Sequence, residues 1–144
     1  MSETQSAADH AKMVPMYHYV TFLCIFVPTV YFIVGAVRDF SVGALMMAVF
    51  GVGVILGTFF ARVFPLGVQD RVIRLEERIR LERVLPEGMR GRIPEISTDH
   101  LIALRFASDE ELAGLVQRVL DGELADRKSI KQAIRSWRAD YQRI

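Results

Sequence analysis

FSVGALMMAVFGVGVILGTFFA, residues 40–61, decides what kind of protein this is. Its centre, GVGVILG, sets glycines at Gly51, Gly53 and Gly57, which at first sight is the pattern of a phosphate-cradling loop. Such a loop needs a strand before it, a helix after it, and usually a Lys–Ser/Thr pair or an acidic partner. Here Thr58 has no lysine before it, and no Asp, Glu, Lys or Arg falls anywhere between Phe40 and Ala61. A backbone nest for phosphate at bilayer depth is costly unless it lines a cavity. The stretch therefore reads as a membrane-spanning helix whose glycines let another helix approach closely.

A second uncharged run precedes it, from Met13 to Val37. Each run exceeds the roughly 20 residues that cross about 30 Å of hydrocarbon as a helix. Helices are expected over 17–37 and 41–64. Only Arg38, Asp39 and Phe40 separate them, so they must form a tight antiparallel hairpin. Pro28 should kink the first. A cleaved signal peptide fits poorly, because the first run lacks a basic leader and a second span follows at once. The one cysteine, Cys24, lies inside the first span as a small apolar filler and excludes an internal disulfide.

Charge collects in the rest of the chain. From Arg62 onward lie 16 of the 18 basic and 14 of the 17 acidic residues. Arg62, Arg71, Arg74, Arg78, Arg80 and Arg83 follow the second span, whereas the hairpin tip carries Arg38 offset by Asp39. Positive residues stay on the cytoplasmic side, so both termini should be cytoplasmic, as in a multi-pass membrane protein. Tyr17, His18 and Tyr19, with Phe59, Phe60 and Phe64, suit the interfacial belt. Arg62 can snorkel, and the arginine-rich stem should lie against anionic lipid headgroups, each basic side chain contributing about 1 kcal/mol.

Beyond the membrane exit, punctuated by Pro65 and Gly67, residues 68–85 read as a charged stem helix. Val68, Val72, Leu75 and Ile79 step by four, three and four, forming one apolar stripe. The Pro- and Gly-rich segment 86–97 should be a loop. Three short helices follow. The first covers about 99–107. The second begins at the capping-box pattern Ser108–Glu111 and ends near Gly122. The third covers about 126–143, with Ile130, Ile134, Trp137, Tyr141 and Ile144 on its buried face. Leu101, Leu104, Phe106, Leu112, Leu115, Val116 and Val119 complete the expected core. The acidic middle helices, net −6 over residues 93–126, should pack near the basic last helix, net +5 over 127–144. The expected fold is an all-α membrane protein: a polar tail (1–16), a transmembrane hairpin (17–64), a stem and loop (65–97), and a small cytoplasmic three-helix subdomain (98–144).

The stem GVQDRVIRLEERIRLERVL and the segments HLIALRFASDEELAGLV and SIKQAIRSWRADYQRI resemble those of a bacterial family of small two-span membrane proteins described only as a domain of unknown function. The resemblance extends to the polar start, with Gln5, His10 and His18. It implies this architecture and a bacterial origin, hence a place in the bacterial inner membrane, and it carries over no activity and no functional residues.

The candidate sites are mostly packing surfaces. Ala44, Ala48 and Gly51 share one face of the second span, and Gly53, Gly57 and Ala61 form a ridge on roughly the opposite face. One ridge should contact the first span and the other a helix of another chain. No metal or cofactor is expected: His10, His18 and His100 have no Cys, Asp or Glu at ligand spacing. His18 at the interface could reach a haem, a pigment or a quinone, but a hydrogen bond to backbone or headgroups is the commoner use of such a histidine. Asp109, Glu110 and Glu111 favour a helix start over acid–base work. Arg105 is expected to find an acidic partner across the subdomain. Trp137 and Tyr141 sit on an apolar stripe, which disfavours nucleic-acid binding by the basic last helix. The function expected is a non-catalytic, membrane-anchored accessory or scaffold protein, a subunit of a larger or homo-oligomeric assembly; the alternative is a component of an oligomeric pore or transporter.

Overall fold

The computed structural model describes residues 14–140. Tyr141, Arg143 and Ile144 of the expected last helix, and the polar tail with Gln5 and His10, lie outside the described residues. The described chain is helical. A π-helical turn (Met16–Thr21) leads into α1 (Phe22–Arg38), followed by α2 (Val42–Val84), α3 (Glu87–Arg90), a 3-10 turn (Ile93–Glu95), α4 (Thr98–Leu104), α5 (Asp109–Leu120) and α6 (Arg127–Ala133). Among the described residues there is no β-strand, only an isolated antiparallel bridge between Ala107 and Trp137.

The chain divides into two compact units, one ending at Leu66 and one beginning at Gly67. In the first, the helical stretches Met16–Arg38 and Val42–Val84 are long and apolar enough to cross a membrane, and only 6% of each apolar window is buried within the protein. Side chains such as Phe26, Tyr31, Phe50 and Phe59 face outward. A core helix of a water-soluble fold would bury such residues. Pro28 lies inside α1.

The separate stem helix expected after Pro65 and Gly67 does not exist, because α2 runs through both. Pro65 deletes one backbone donor, which forfeits one hydrogen bond of the helix. Gly67 keeps an ordinary negative φ, so it does not turn the chain. Strong helix formers in VIRLEERIRLERVL carry the helix onward.

The second unit is built on a face of α2 other than the one its sequence advertises. Val68, Val72, Leu75 and Ile79, the expected stripe, are exposed. Ile73, Glu77, Leu81 and Leu85, each four apart, are buried instead. Leu81 and Leu85 join one core with Leu101, Leu104, Leu112, Leu115, Val116, Val119 and Ile130. The expected 86–97 loop is also partly ordered: α3 and the 3-10 turn bring Ile93 and Ile96 into that core.

The last expected helix is truncated. Asp126 caps α6 by accepting the Ser129 amide, while Ser129 Oγ accepts the Asp126 N–H, a reciprocal capping box. This holds the Asp126 carboxyl below its ordinary range, chiefly through the Ser129 backbone hydrogen bond. The helix stops at Ala133, and Ile134 turns to extended backbone. The reason is competition for donors. The Glu111 carboxylate accepts from the Arg135 and Ser136 amides, both at 3.0 Å. The Arg138 amide donates to the Phe106 carbonyl at 2.7 Å, and the Ser108 amide to the Ser136 carbonyl at 3.1 Å. Ser108 is the N-cap of α5, but the expected Ser108–Glu111 box does not form. Glu111 is committed to residues 135 and 136, and the Ser108 hydroxyl has no hydrogen-bond partner among the described residues. Gly122, at φ +79°, takes the left-handed conformation that ends α5.

Candidate functional site

Within the first unit, α1 and α2 are in close contact at Thr29 and Gly51. Thr29 is buried on α1, and its hydroxyl donates to the Ile25 carbonyl at 2.7 Å. Opposite it, a Cβ built on Gly51 would press into Thr29 Oγ1 and stand 2.9 Å from Cγ2. Gly51 is therefore glycine because a neighbouring side chain occupies the space of its Cβ. Ala48, one turn away, is buried as well, and Ala44 is half-buried. The other ridge is open. Among the described residues, no atom outside the local helix lies within 4 Å of a Cβ added at Gly53 or Gly57, and Ala61 is exposed. Thr29 was not foreseen. A lone threonine in an apolar span gives little signal unless its register to Gly51 is known.

At the Tyr17 end of the hairpin the phenol donates to the Thr58 carbonyl at 2.8 Å. His18 stands edge-on to Tyr17, with Nδ1 2.9 Å from the Val14 carbonyl. Arg62 and His18 line one cavity with Phe22 and Phe59.

The stem arginines divide. Arg71 and Arg83 are exposed, and Arg74 and Arg78 half-buried. Arg80 does not reach for headgroups as expected. It is turned inward, donating from Nη1 to Glu77 Oε2 at 3.0 Å, from Nε to Asp109 at 2.7 Å, and from Nη2 to the Ala107 carbonyl at 2.7 Å. A planar guanidinium with a fixed fork of donors suits this three-way junction, which a lysine could not fill. It ties α2 to the segment entering α5. Asp109 at the start of α5 thus serves as an ion-pair partner.

Glu77 is the centre of the cluster. It is 5% exposed, and besides Arg80 it meets Arg138 Nη1 at 3.8 Å. Burial pushes its carboxyl above the ordinary range, and Arg80 opposes that shift without cancelling it. Removal from water here outweighs attraction to the guanidinium groups. Arg105, expected to find an acidic partner, pairs with Asp140 at 3.1 Å and stacks over Phe106 at 4.3 Å. Phe106 in turn stacks on the half-buried Trp137 with ring centroids 4.6 Å apart. Ile134 packs at the margin of the core. These groups surround an open cleft of about 750 Å³, lined by Glu76, Glu77, Asp109 and Asp140 against Arg80, Arg83, Arg105 and Arg138. Among the described residues, four carboxylates face four guanidiniums, so their charges offset one another and help hold the 134–140 segment in place. Among the described residues, no cluster of three or more His, Cys, Asp or Glu is placed to hold a metal.

The family model that matches covers residues 1–144, and its description is a family of unknown function, DUF6526; the chain belongs to that family. No curated protein and no solved structure matches it.

Proposed function

We propose that this family member is a non-catalytic, membrane-anchored accessory or scaffold protein, a subunit of a larger or homo-oligomeric membrane assembly. The observation that carries the reading is the open ridge at Gly53 and Gly57, where among the described residues nothing outside the local helix comes within 4 Å of an added Cβ. The packing partner of the opposite face, Gly51 against Thr29, lies within the same chain. Small residues lower the cost of close helix approach, and a ridge left open by its own hairpin is available to a helix of another chain. The exposed apolar side chains of both long helices support a bilayer as their surroundings.

The arginine bias supports an orientation with both termini in the cytoplasm, in the inner membrane that a bacterial member of this family would occupy. Arg71, Arg74 and Arg78 are the stem arginines left for anionic headgroups, whereas Arg83 lines the charged cleft and Arg80 serves the fold. Trp137 stacks on Phe106, which supports a packing role for its ring over a nucleic-acid platform.

The test is to solubilise native membranes gently, capture the tagged full chain and identify what accompanies it, in parallel with Gly57→Leu. Co-purifying subunits, or a stable homo-oligomer, weakened by Gly57→Leu support the reading. A chain that is monomeric and alone at native abundance overturns it. A homo-oligomer that passes ions in liposomes replaces it with a pore. Reporter fusions at each terminus check the orientation, and an external signal from either end reverses it.

A further inference from the structure

The exposed stripe of α2 in the second unit has a regular spacing. Val68, Val72, Leu75 and Ile79 step by four, three and four, and each is 46–62% exposed. That is the d-a-d-a rhythm of a heptad, with Val72 and Ile79 at a and Val68 and Leu75 at d. The next d position is Glu82, which ends the apolar seam. The helix beneath the stripe is already fixed, because Ile73, Leu81 and Leu85 on its other side are buried. A helix laid along the stripe therefore meets a preformed surface, with no cost of helix nucleation on this side.

The residues in and beside the seam name its occupant. Val or Ile at a with Leu at d favours two parallel strands, and Val72, Ile79 and Leu75 fit that rule. Arg71 falls at g and Glu76 at e, and both are exposed. Neither makes a hydrogen bond or ion pair among the described residues. In a parallel, in-register pair, g meets e of the next heptad on the other helix. Arg71 of each copy then faces Glu76 of the other, and the two-fold relation makes the contact twice. An antiparallel pair would set g against g, bringing Arg71 up to Arg78, a like charge. The parallel pair does bring Arg78 to Arg83, but beyond the last apolar residue, and Arg83 lines the cleft beside Glu77, Asp109 and Asp140. A bilayer surface is the poorer cover, because a helix lying in it favours basic flanks, and Glu76 stands on one flank of this stripe.

We propose that the stem stripe is a self-association surface on which a second copy of this chain docks in parallel. Val72, Leu75 and Ile79 pack on their counterparts, and Arg71 pairs with Glu76 across the seam. This deepens the scaffold reading, on which it rests, by naming the partner as the chain itself. The seam is shorter than two heptads and would be weak between chains free in water. Confinement to one face of a bilayer raises the effective concentration and makes a weak seam sufficient. Parallel is also the direction shared by two copies inserted the same way. Arg71 then meets the second copy instead of headgroups.

The experiment mixes full-length chains labelled at Cys24 with donor or acceptor dye and reconstitutes them in phosphatidylcholine vesicles over a range of dilutions. Energy transfer reads the association. Arg71→Glu and Glu76→Arg should each weaken it about tenfold, and the two substitutions together should restore it. Melting of each variant should match the parent, since both side chains are exposed. In a Cys24→Ala chain, Leu75→Cys should form a disulfide between copies, and Arg74→Cys, at position c away from the seam, should not. Single variants as tight as the parent, a double variant that stays weak, or equal cross-linking of the Leu75→Cys and Arg74→Cys chains overturns the proposal. A lowered melting temperature also overturns it, by placing Arg71 or Glu76 in the fold's own service. So does a Leu75→Cys chain that, oxidised in native membranes, cross-links only to a different protein or to nothing. An assembly captured from native membranes that survives Arg71→Glu but is lost with Gly57→Leu refutes the seam and leaves the scaffold reading standing. A chain that is monomeric both in that capture and in vesicles refutes both.

Discussion

Replacing Gly51 by alanine adds one methyl group where the protein has least room for it. The new Cβ would stand 2.9 Å from Thr29 Cγ2 and 3.0 Å from Thr29 Cβ, besides pressing on Oγ1. Overpacking of this kind costs about 1–3 kcal/mol. Thr29 cannot turn aside freely: its χ1 is stiff, and rotation would break its hydroxyl bond to Ile25, worth about 1 kcal/mol. Alanine in a helix returns about 1 kcal/mol over glycine. The net expectation is a hairpin weakened by about 2 kcal/mol. Gly57→Ala is the internal control, because it meets nothing and gains only the helix preference. Thr29→Ala in the Gly51→Ala background deletes Oγ1 and Cγ2 and leaves one contact at 3.0 Å, which a few tenths of an ångström relieve. The double mutant should recover most of the loss, a coupling of about 1–2 kcal/mol. The assay is reversible unfolding of the solubilised chain by titrated denaturing detergent, read by energy transfer between dyes on Cys24 and on an added Phe59→Cys. A Gly51→Ala chain as stable as the parent refutes the reasoning, as does a Gly57→Ala chain equally damaged or a double mutant without rescue.

Three further perturbations address the second unit. Burial raises the Glu77 carboxyl, so the folded chain holds that proton more tightly than the unfolded chain does. Its contribution to stability is therefore complete below the ordinary carboxylate range and is lost as pH rises through the raised value. Glu77→Gln should flatten that decline in urea midpoints taken from the carboxylate range up to neutrality; an unchanged slope contradicts the assignment. Arg80→Met leaves Glu77 and Asp109 without their shared partner and the Ala107 carbonyl without a donor. It should cost about 3 kcal/mol in thermal or chemical unfolding, with Arg80→Lys recovering little; a neutral Arg80→Met would show the junction to be dispensable. Glu111→Ala should speed hydrogen exchange at the Arg135 and Ser136 amides by about tenfold or more. It should also shift the emission of Trp137, the chain's one tryptophan, and unchanged exchange would mean that the 134–140 segment is held by its packing alone.

The two long apolar helices were legible from their uncharged runs, although the second continues to Val84, and Gly122 and Asp126 marked the end of α5 and the start of α6 by local chemistry. Glu111 shows where local reading stops. Ser-x-x-Glu at a helix start predicts that the glutamate reaches back to its own cap. The carboxylate instead finds two amides of a segment 24 and 25 residues away. Those amides also explain why the last helix is short: a periodic stripe at Ile130, Ile134 and Trp137 fits a helix, but the donors of residues 135, 136 and 138 were claimed by Glu111 and Phe106. Competition between distant backbone partners leaves no trace in hydrophobic spacing.

The same point applies with greater consequence to α2 beyond Gly67. Two faces compete there. One carries Val68, Val72, Leu75 and Ile79 and looks like a core stripe; the other carries Ile73, Glu77, Leu81 and Leu85 and is buried. Counting apolar residues favours the first, because Glu77 breaks the second. Glu77 is tolerated inside because Arg80 and Arg138 reach it, and neither partnership is visible before the chain is folded. The buried face is thus the less hydrophobic of the two, and the more hydrophobic one is left outside. For a protein alone in water that choice is costly, since four exposed aliphatic side chains forgo burial worth about 1.5–3 kcal/mol each. The cost disappears if the exposed stripe is covered in its working setting. Substituting Leu75 and Ile79 by serine distinguishes the cases. Co-purifying partners or self-association should weaken while the melting temperature of the second unit stays put. A lowered melting temperature with assembly intact would place the stripe in the fold's own service instead.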